Sequence, residues 1–510
     1  MKYHFSVVKK LWILLPAILK WITIGSMLGI GFVYPMFWWF VIFGIVLFLH
    51  TILNTKKIQQ AIWGGFMAWS IKSLFAISFF WSALPLEWLN IDNWWQEFGL
   101  VLFGWLWSGF SLGVGGIVIA VILFYINKSY PHSSIYLVII SSVSWLLGEC
   151  FSSLFYSVTT SGPGSFIQGY FSFGYVGYLL GITKLGLFFA SLGGVYLLTL
   201  LLVSFCAGLL FFNEKKNFKS VIFLLGVFLM ALSLATIIYP KDFNNHGKKV
   251  VVNVINTTFG SRSLDSLEAL NFRKVALNQA VEASLKLNPD YLLLPEDSRF
   301  LISLYPSNSL NQSLAKFKFQ HSDSKTKLID SFRVELSENQ AVVRAGLFSG
   351  QYNTSTYYFD KQYLVPGGEY IPYIFILLLK ITGFSELIAT QKVVGNYQPG
   401  PLFQSGEITA DVPGILFCFE SIRPGGVRFL KKDRNIPFVA HPISHASFHN
   451  PKILWQQLDV MLQIQARFQG VSIVSAGNMA SGKLYLPNGQ IDNGRLVANG
   501  AGWNIIKFEF

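Results

Sequence analysis

The first half of the chain alternates long apolar runs with short polar connections, whereas from Val250 onward the apolar runs are short and closely punctuated by polar breaks. A membrane-spanning helix needs ~20 mostly apolar residues. Seven stretches meet that length, at roughly 11–33, 35–53, 61–84, 98–126, 135–157, 178–212 and 220–239, several with room for tilt or interfacial ends. The opening MKYHFSVVKKLWILLPAILKW has the basic start and apolar run of a signal peptide. It has no small-residue cleavage site and more apolar spans follow, so it reads as a retained first helix.

The connections alternate in sign. Lys2, Lys9, Lys10, Lys56, Lys57, Lys128, Lys215, Lys216 and Lys219 fall on one side, and Glu87, Asp92 and Glu97 on the other. An excess of lysine marks the cytoplasmic side, so the N-terminus is expected there and everything after about Tyr239 outside. Trp88, Trp94 and Trp95 beside the outer acids read as an interfacial belt. Glu149 lies inside a span, where an acid costs ~2.5 to 3.5 kcal/mol on insertion scales, so it needs a partner or a polar cavity. Its role reads as structural, with Lys184 or Lys72 as the paired cation.

After the polar linker from Tyr239 to Lys249, VVVNVIN reads as a strand, Ser263 to Leu287 as a helix and YLLLP as a strand. Further strands are expected at Gln340 to Phe348, Thr354 to Phe359, Ile415 to Phe419, Ile436 to Pro442, Val471 to Ala476 and Lys483 to Pro487. This alternation predicts an α/β layered domain over 250–510, behind a membrane helical domain over 1–240. Ile371 to Phe384 is apolar almost all round yet too short to span, which fits either a buried helix or one dipping into a lipid leaflet.

Composition agrees with a membrane protein carrying a globular part: 510 residues, 52% hydrophobic and 13% charged. The formal charge of +13 is scattered rather than gathered into a basic patch, which argues against nucleic acid and for anionic lipid surfaces. Of three cysteines, Cys150 and Cys206 lie in apolar spans, leaving Cys418 without a disulfide partner.

Gly414 to Glu420 (GILFCFE) is a strand-like run broken at once by Ser421-Ile422-Arg423-Pro424-Gly425-Gly426, which places Cys418 near a strand end facing a cleft. A buried structural cysteine is the alternative. Two other runs tip the balance: YLLLPEDS stops on Glu296, and KQYLVPGGEYIP opens on Lys361 and carries Glu369. Acyl transfer through a thioester needs such a set, with a base, a thiol and a cation where the oxyanion develops. Asp297 reads as a helix cap rather than a second base. His441, His445 and His449 recur every four residues without a carboxylate partner, and no phosphate-binding loop is present, so neither a metal nor a nucleotide is expected.

These residues resemble the carbon-nitrogen hydrolase (nitrilase) superfamily with its Glu-Lys-Cys triad and, within it, the apolipoprotein N-acyltransferases of bacterial inner membranes. The lysine precedes the glutamate of the P-x-G-E segment by eight positions, 369 − 361 = 8, as in that family. The resemblance implies a bundle of about seven spans followed by a four-layer α-β-β-α sandwich. It implies Glu296 as general base, Lys361 as oxyanion support and Cys418 as nucleophile, with Glu369, Glu420 and Phe419 in supporting positions. It also implies a phospholipid acyl donor and the N-terminal diacylglyceryl-cysteine of apolipoproteins as acceptor, without a cofactor. The expected setting is the bacterial inner membrane, N-terminus in the cytoplasm and catalytic domain on the outer face, with no nucleic acid partner and the chain acting as a monomer.

The sequence departs from that family in three places. Ser444-His445-Ala446-Ser447-Phe448 stands where N-D-A-W-F is usual, and Phe419 replaces a tyrosine beside the nucleophile. The following helix lacks the usual Gln-His pair and arginines, although Gly477-Asn478-Met479 and Pro487-Asn488-Gly489 resemble the closing segments. WNIIKFEF is strand-like where the family usually adds a last membrane helix. Two alternatives stay open: a membrane-tethered amidohydrolase whose thioester is resolved by water, and a pseudoenzyme that binds lipid or lipoprotein without turnover.

Overall fold

The computed structural model describes residues 16–89, 91, 93–129, 134–214, 249–261, 266–303, 310–337, 340–351, 356–388, 397–400, 412–431, 436–449 and 451–510. Two compact units emerge. One comprises the described residues within Met1–Trp81, Gly99–Thr159 and Gln168–Tyr239, and the other those within Ser82–Phe98, Thr160–Ile167 and Pro240–Phe510.

The helical unit is built from α1 (Ala17–Val33), α2 (Trp38–Leu53), α3 (Ile58–Ala76), α4 (Trp94–Ser129), α5 (Ser134–Thr159) and α6 (Lys184–Glu214). Among the described residues four helices are long and apolar enough to cross a membrane, against the seven spans expected: Pro35–Leu53, Trp94–Ser129, Tyr136–Thr159 and Lys184–Leu210. The difference has local causes. α1 covers 17 residues, and α3 carries Gln59, Gln60, Ser70, Lys72 and Ser73, which dilute its apolar character. The stretch at 220–239 lies outside the described residues, as does the linker before Lys249.

Glycine sets the spacing inside this unit. A Cβ on Gly65 of α3 would strike the carbonyl of Gly116 on α4, and one on Gly116 would strike the carbonyl of Gly65, so the two backbones meet directly. Glu149 on α5 is buried and accepts from the backbone N–H of Val176 (2.8 Å), Thr199 Oγ1 (2.9 Å) and Trp145 Nε1 (3.3 Å). The cation whose charge reaches it is Lys72, itself buried with Nζ 3.5 Å from the centre of the Trp69 ring. Lys184, the other candidate, is exposed at the start of α6. Desolvating an acid and an amine is tolerable because each finds hydrogen bonds or a π face as well as the other's charge.

The second unit is a sandwich of two sheets. One runs β11 (Arg495–Gly500), β12 (Trp503–Glu509), β1 (Val251–Thr257), β2 (Tyr291–Leu293), β3 (Lys327–Ser337), β4 (Gln340–Ser349) and β5 (Tyr357–Asp360). The other runs β6 (Gly414–Ile415), β7 (Val439–Ser444), β8 (Ile473–Asn478), β9 (Leu484–Tyr485) and β10 (Ile491–Asp492). Both mix parallel and antiparallel pairs, and they join where Thr257 meets Asn478. Asn478 secures the join: its Oδ1 accepts from Thr257 Oγ1 and the Phe259 N–H, both at 2.9 Å, and its Nδ2 donates to the Phe259 carbonyl at 3.0 Å.

Side chains alternate across a strand, and here both faces are filled. Val252, Val254, Leu293, Ile329 and Val343 pack inward against Ile415, Phe417, Ala440 and Val474 of the opposing sheet. Ile255, Leu292, Leu328 and Phe332 face outward onto α7 (Leu267–Leu285), α8 (Phe300–Ser303) and α9 (Leu310–Gln320). On the far side Val439, Ile473 and Tyr485 meet α12 (Lys452–Gln469), after two shorter helices, α10 (Tyr373–Ile381) and α11 (Gly426–Lys431). Helices thus cover both outer faces of the paired sheets. The closing segment is a full structural strand, β12 pairing with β1 from Val251↔Glu509 to Thr257↔Trp503.

Ile371 to Phe384 resolves the choice between a buried helix and an exposed one. Of α10 only Leu379 is buried, while Tyr373, Leu377 and Ile381, four residues apart, form an exposed apolar stripe. Its start is anchored inside the same unit by Tyr373 N–H to the Ser161 carbonyl (2.9 Å) and Tyr370 Oη to the Thr160 carbonyl (3.0 Å).

Leu462 of α12 is fully buried in the outer core. Leu462→Ala is expected to destabilise the sandwich by about 2–5 kcal/mol. A lowered apparent melting temperature of the detergent-solubilised protein checks this; an unchanged melt would mean α12 does not seal that face.

Candidate active site

Three strand ends supply the chemistry. β2 stops at Leu293 and the chain passes through Leu294 and Pro295 to Glu296; β5 stops at Asp360, one residue before Lys361; β6 stops at Ile415, and Cys418 opens a short 3-10 helix, Cys418–Ile422. Lys361 is fixed at both backbone groups, its N–H donating to the Val343 carbonyl (2.8 Å) and its carbonyl accepting from Gly400 (2.7 Å). Just before it, Asp360 is held by a two-pronged pair with Arg344 at 2.6 and 2.9 Å.

The Lys361 side chain is 1% exposed and lies between two carboxylates, Nζ donating to Glu296 Oε1 at 2.9 Å and to Glu369 Oε1 at 2.7 Å. The second oxygen of Glu369 accepts from the Val365 N–H at 2.8 Å, so the P-G-G-E turn closes on itself and delivers the acid to the lysine. Glu296 uses one oxygen on Lys361, and its Oε2 makes no hydrogen bond to a described residue. Cys418 Sγ contacts the Ser444 carbonyl at 3.8 Å, and all three cysteines are free.

Burial and mutual charge set the protonation states. Burial alone would push Lys361 down, but Glu296, Glu369 and Cys418 hold it above the ordinary lysine range, so it stays a cation. Burial pushes Glu296 up, and the neighbouring Lys361 pulls part of that back, leaving it at about 7. Burial likewise pushes the Cys418 thiol up, Glu296 adds to the rise and Lys361 opposes it, for a value of about 12. At neutral pH the site therefore holds a neutral thiol, a fixed ammonium and a carboxyl poised to exchange a proton. A base whose pKa matches the operating pH is the most effective proton acceptor.

Glu420 acts through the backbone. Its Oε1 accepts from the N–H groups of Gln362 (2.6 Å) and Tyr363 (3.3 Å), and its Oε2 from the Phe417 N–H (2.9 Å). It thus ties the segment just after Lys361 to the segment just before Cys418. Burial raises its pKa, offset by these backbone donors. Phe419 is half-buried on the turn that Cys418 opens and has no hydroxyl to donate. Asp297 is not a helix cap. It has φ +57 and chelates Arg299 at 2.7 and 2.9 Å, while Asp330 of the neighbouring strand accepts from the Phe300 and Leu301 N–H groups that open α8.

The segment 444–448 touches Cys418 through a backbone carbonyl, a contact that survives a change of side chain at Ser444. The histidines at 441, 445 and 449 do not converge. His441 Nδ1 shares a hydrogen bond with Ser475 Oγ (2.9 Å), the His445 ring lies 4.6 Å from that of Trp455, and His449 Nε2 is 3.3 Å from the Pro85 carbonyl. Burial pushes His441 and His445 down to about 3 and about 4, so both are neutral. Among the described residues no group of three or more His, Cys, Asp or Glu is placed to hold a metal ion.

No family model and no curated protein matches the sequence. Solved structures align with the C-terminal half. An amidase of the nitrilase superfamily from Nesterenkonia AN1 matches at 13% identity and a TM-score of 0.35, over 52% of this chain and 93% of that one. A carbon-nitrogen hydrolase from Helicobacter pylori G27 matches at 13% and 0.34, over 51% and 88%. The glutamine-dependent NAD+ synthetase from Acinetobacter baumannii matches at 17% and 0.35, over 52% and 46%. Scores of this size carry no argument about the chemistry, which rests on the residues themselves.

Because the Cys418 thiol sits at about 12, its alkylation by iodoacetamide is predicted to accelerate about tenfold per pH unit past pH 9. An ordinary thiol levels off near its pKa of about 8.5. A plateau near that value, followed by peptide mass spectrometry, would contradict the electrostatics described here.

Proposed function

We propose that this chain is a membrane-embedded N-acyltransferase of nitrilase type. It would move a fatty acyl chain from a phospholipid to Cys418, then to the N-terminal amine of the diacylglyceryl-cysteine of an apolipoprotein. The observation that carries the reading is the exposed stripe Tyr373, Leu377 and Ile381, which begins four residues beyond Glu369. A contiguous apolar surface next to catalytic groups fits a lipid substrate, whereas a small soluble amide would not use it. Four membrane-length helices in the same chain fit the same substrate.

In the first half-reaction Sγ attacks the ester carbonyl of the phospholipid while its proton passes to Glu296. The S–C bond forms, the carbonyl oxygen becomes an oxyanion, and Lys361 stabilises it. Collapse breaks the ester C–O bond and Glu296 returns the proton to the departing oxygen, giving a lysophospholipid and the thioester. In the second, the lipoprotein amine attacks the thioester, loses a proton to Glu296, and the C–S bond breaks as the thiol is restored. Atoms and charge balance with the chain's own residues. Glu369 would keep Lys361 aimed once Glu296 has taken the proton, because two acceptors hold an ammonium where one would let it swing.

Orientation follows from the connections. The segments grouped with the sandwich, Ser82–Phe98 and Thr160–Ile167, include Glu87 and Glu97, and Ser261 Oγ donates to Glu87 Oε2 at 2.6 Å. Lys56, Lys57 and Lys128 lie on the intervening connections. The positive-inside rule supports a sandwich on the non-cytoplasmic side, which in the acyltransferase reading would be the outer face of a bacterial inner membrane.

Incubating the purified protein with phosphatidylethanolamine, then with a diacylated lipopeptide, and following the intact mass tests the proposal. A Cys418 acyl adduct, missing in Cys418→Ser and discharged by the lipopeptide, is the expected result. Discharge by water alone would replace the transferase with a hydrolase, and no adduct from a folded protein would refute both. Since Glu296 must be ionised to accept the proton, adduct formation should rise with pH through about 7 and level above it. A flat profile across that window would remove Glu296 as the base.

A further inference from the structure

The loop carrying Glu296 is laid along β3 by hydrogen bonds from both of its ends. Leu294 N–H donates to the Ile329 carbonyl (3.0 Å) and Arg299 N–H to the Ser331 carbonyl (2.9 Å). Between them stands the Ser331 hydroxyl, 1% exposed as a residue, which donates to the Pro295 carbonyl (3.1 Å) and accepts from the Asp297 N–H (2.9 Å). One side chain thus holds the residue before Glu296 and the residue after it. The loop needs holding, because Asp297 and Arg299 both have positive φ, +57 and +53, in a region that non-glycine residues rarely adopt. Arg273 adds donors to the Asp297 and Ser298 carbonyls, the latter at 3.3 Å.

The neighbouring residue works on the other face of the strand. Asp330 accepts from Ser298 Oγ (2.5 Å) and from the N–H groups that open α8, so it secures the far end of the loop. Among the described residues, Ser331 is the side chain that brackets the acid itself.

We propose that Ser331 is a positioning residue for Glu296, fixing the peptide groups on either side of it so that the carboxylate stays on Lys361 and within electrostatic reach of Cys418. The proposal rests on Glu296 acting as the base on Cys418, as in the acyl-transfer reading. Ser331→Ala removes both bonds at once and lets the strained loop relax, whereas Ser331→Thr keeps the hydroxyl. Small displacements of a catalytic group cost roughly 10²-fold in rate.

The experiment uses full-length protein in detergent, with a p-nitrophenyl acyl ester as the acylating probe and iodoacetamide as a probe that needs no acyl chemistry. Ser331→Ala is expected to lower the rate constant of Cys418 acylation, read as the p-nitrophenol burst, about 10- to 100-fold with the half-saturating ester concentration within twofold, and Ser331→Thr to recover most of it. Because Glu296 ionises at about 7 and its charge raises the Cys418 pKa, alkylation of the wild type is expected to show an inflection there, which should move by half a pH unit or more in Ser331→Ala. A wild-type acylation rate, or a lowered melting temperature with the inflection unmoved, would overturn the proposal. If Ser331→Ala does not fold, Ser331→Cys, similar in size with weaker hydrogen bonds, is judged by the same readouts. If the wild type itself takes no acyl group from the ester, the acyl-transfer reading fails, and the alkylation inflection still decides the role of Ser331.

Discussion

A buried ammonium held between two carboxylates is the constraint on which the rest of this site depends. Stripping water from Lys361 is costly, and only close, well-aligned acceptors compensate. Glu296 at 2.9 Å and Glu369 at 2.7 Å provide them, and in return both acids are fixed to within a hydrogen bond of one atom. The same contacts divide the labour. Glu369 has both oxygens engaged, whereas Glu296 keeps one oxygen without a hydrogen bond to a described residue and sits at about 7, so the latter is free to exchange a proton. Cys418 nearby stays a thiol at rest, so in the proposed reaction it would become reactive only when a substrate carbonyl and the base act together.

The sandwich makes this possible by bringing the ends of β2, β5 and β6 together, with Glu420 bridging the segments that follow β5 and β6. The strands come from two sheets whose inner faces share one core, so the distances among the three residues are set by packing rather than by flexible loops. Where a loop is unavoidable, around Glu296, backbone strain is held down by Ser331, Asp330 and Arg273.

Much of the site was legible in the sequence because charged residues at the ends of apolar runs are conspicuous. Glu296, Lys361 and Cys418 stand out in this way, and Glu369 is marked by its spacing from Lys361 and by the two glycines before it. β3 was not legible: Asp330 and Ser331 are buried in the middle of KLIDSFRVELS, and two polar residues at adjacent positions erase the alternation that marks a strand. β11 was missed for the opposite reason, being exposed along most of its length. The capping of α8 escaped because the acid comes from a neighbouring strand, and adjacency in sequence pointed to Asp297 instead. Four of the seven expected spans qualify by length and composition among the described residues; α3 does not, because its buried Ser70, Lys72 and Ser73 dilute its apolar character, and the stretch at 220–239 lies outside them.

The most direct test of this account is the rate at which Cys418 gains an acyl group in Lys361→Met, measured by intact mass against wild type in protein shown to be folded. Methionine keeps most of the length of the side chain and removes the charge, so both the proposed oxyanion support and the partner of Glu296 are lost together. The account predicts a fall of about 10²- to 10³-fold. An undiminished rate would mean that the buried cation serves the fold alone and that the chemistry proposed for this site is wrong.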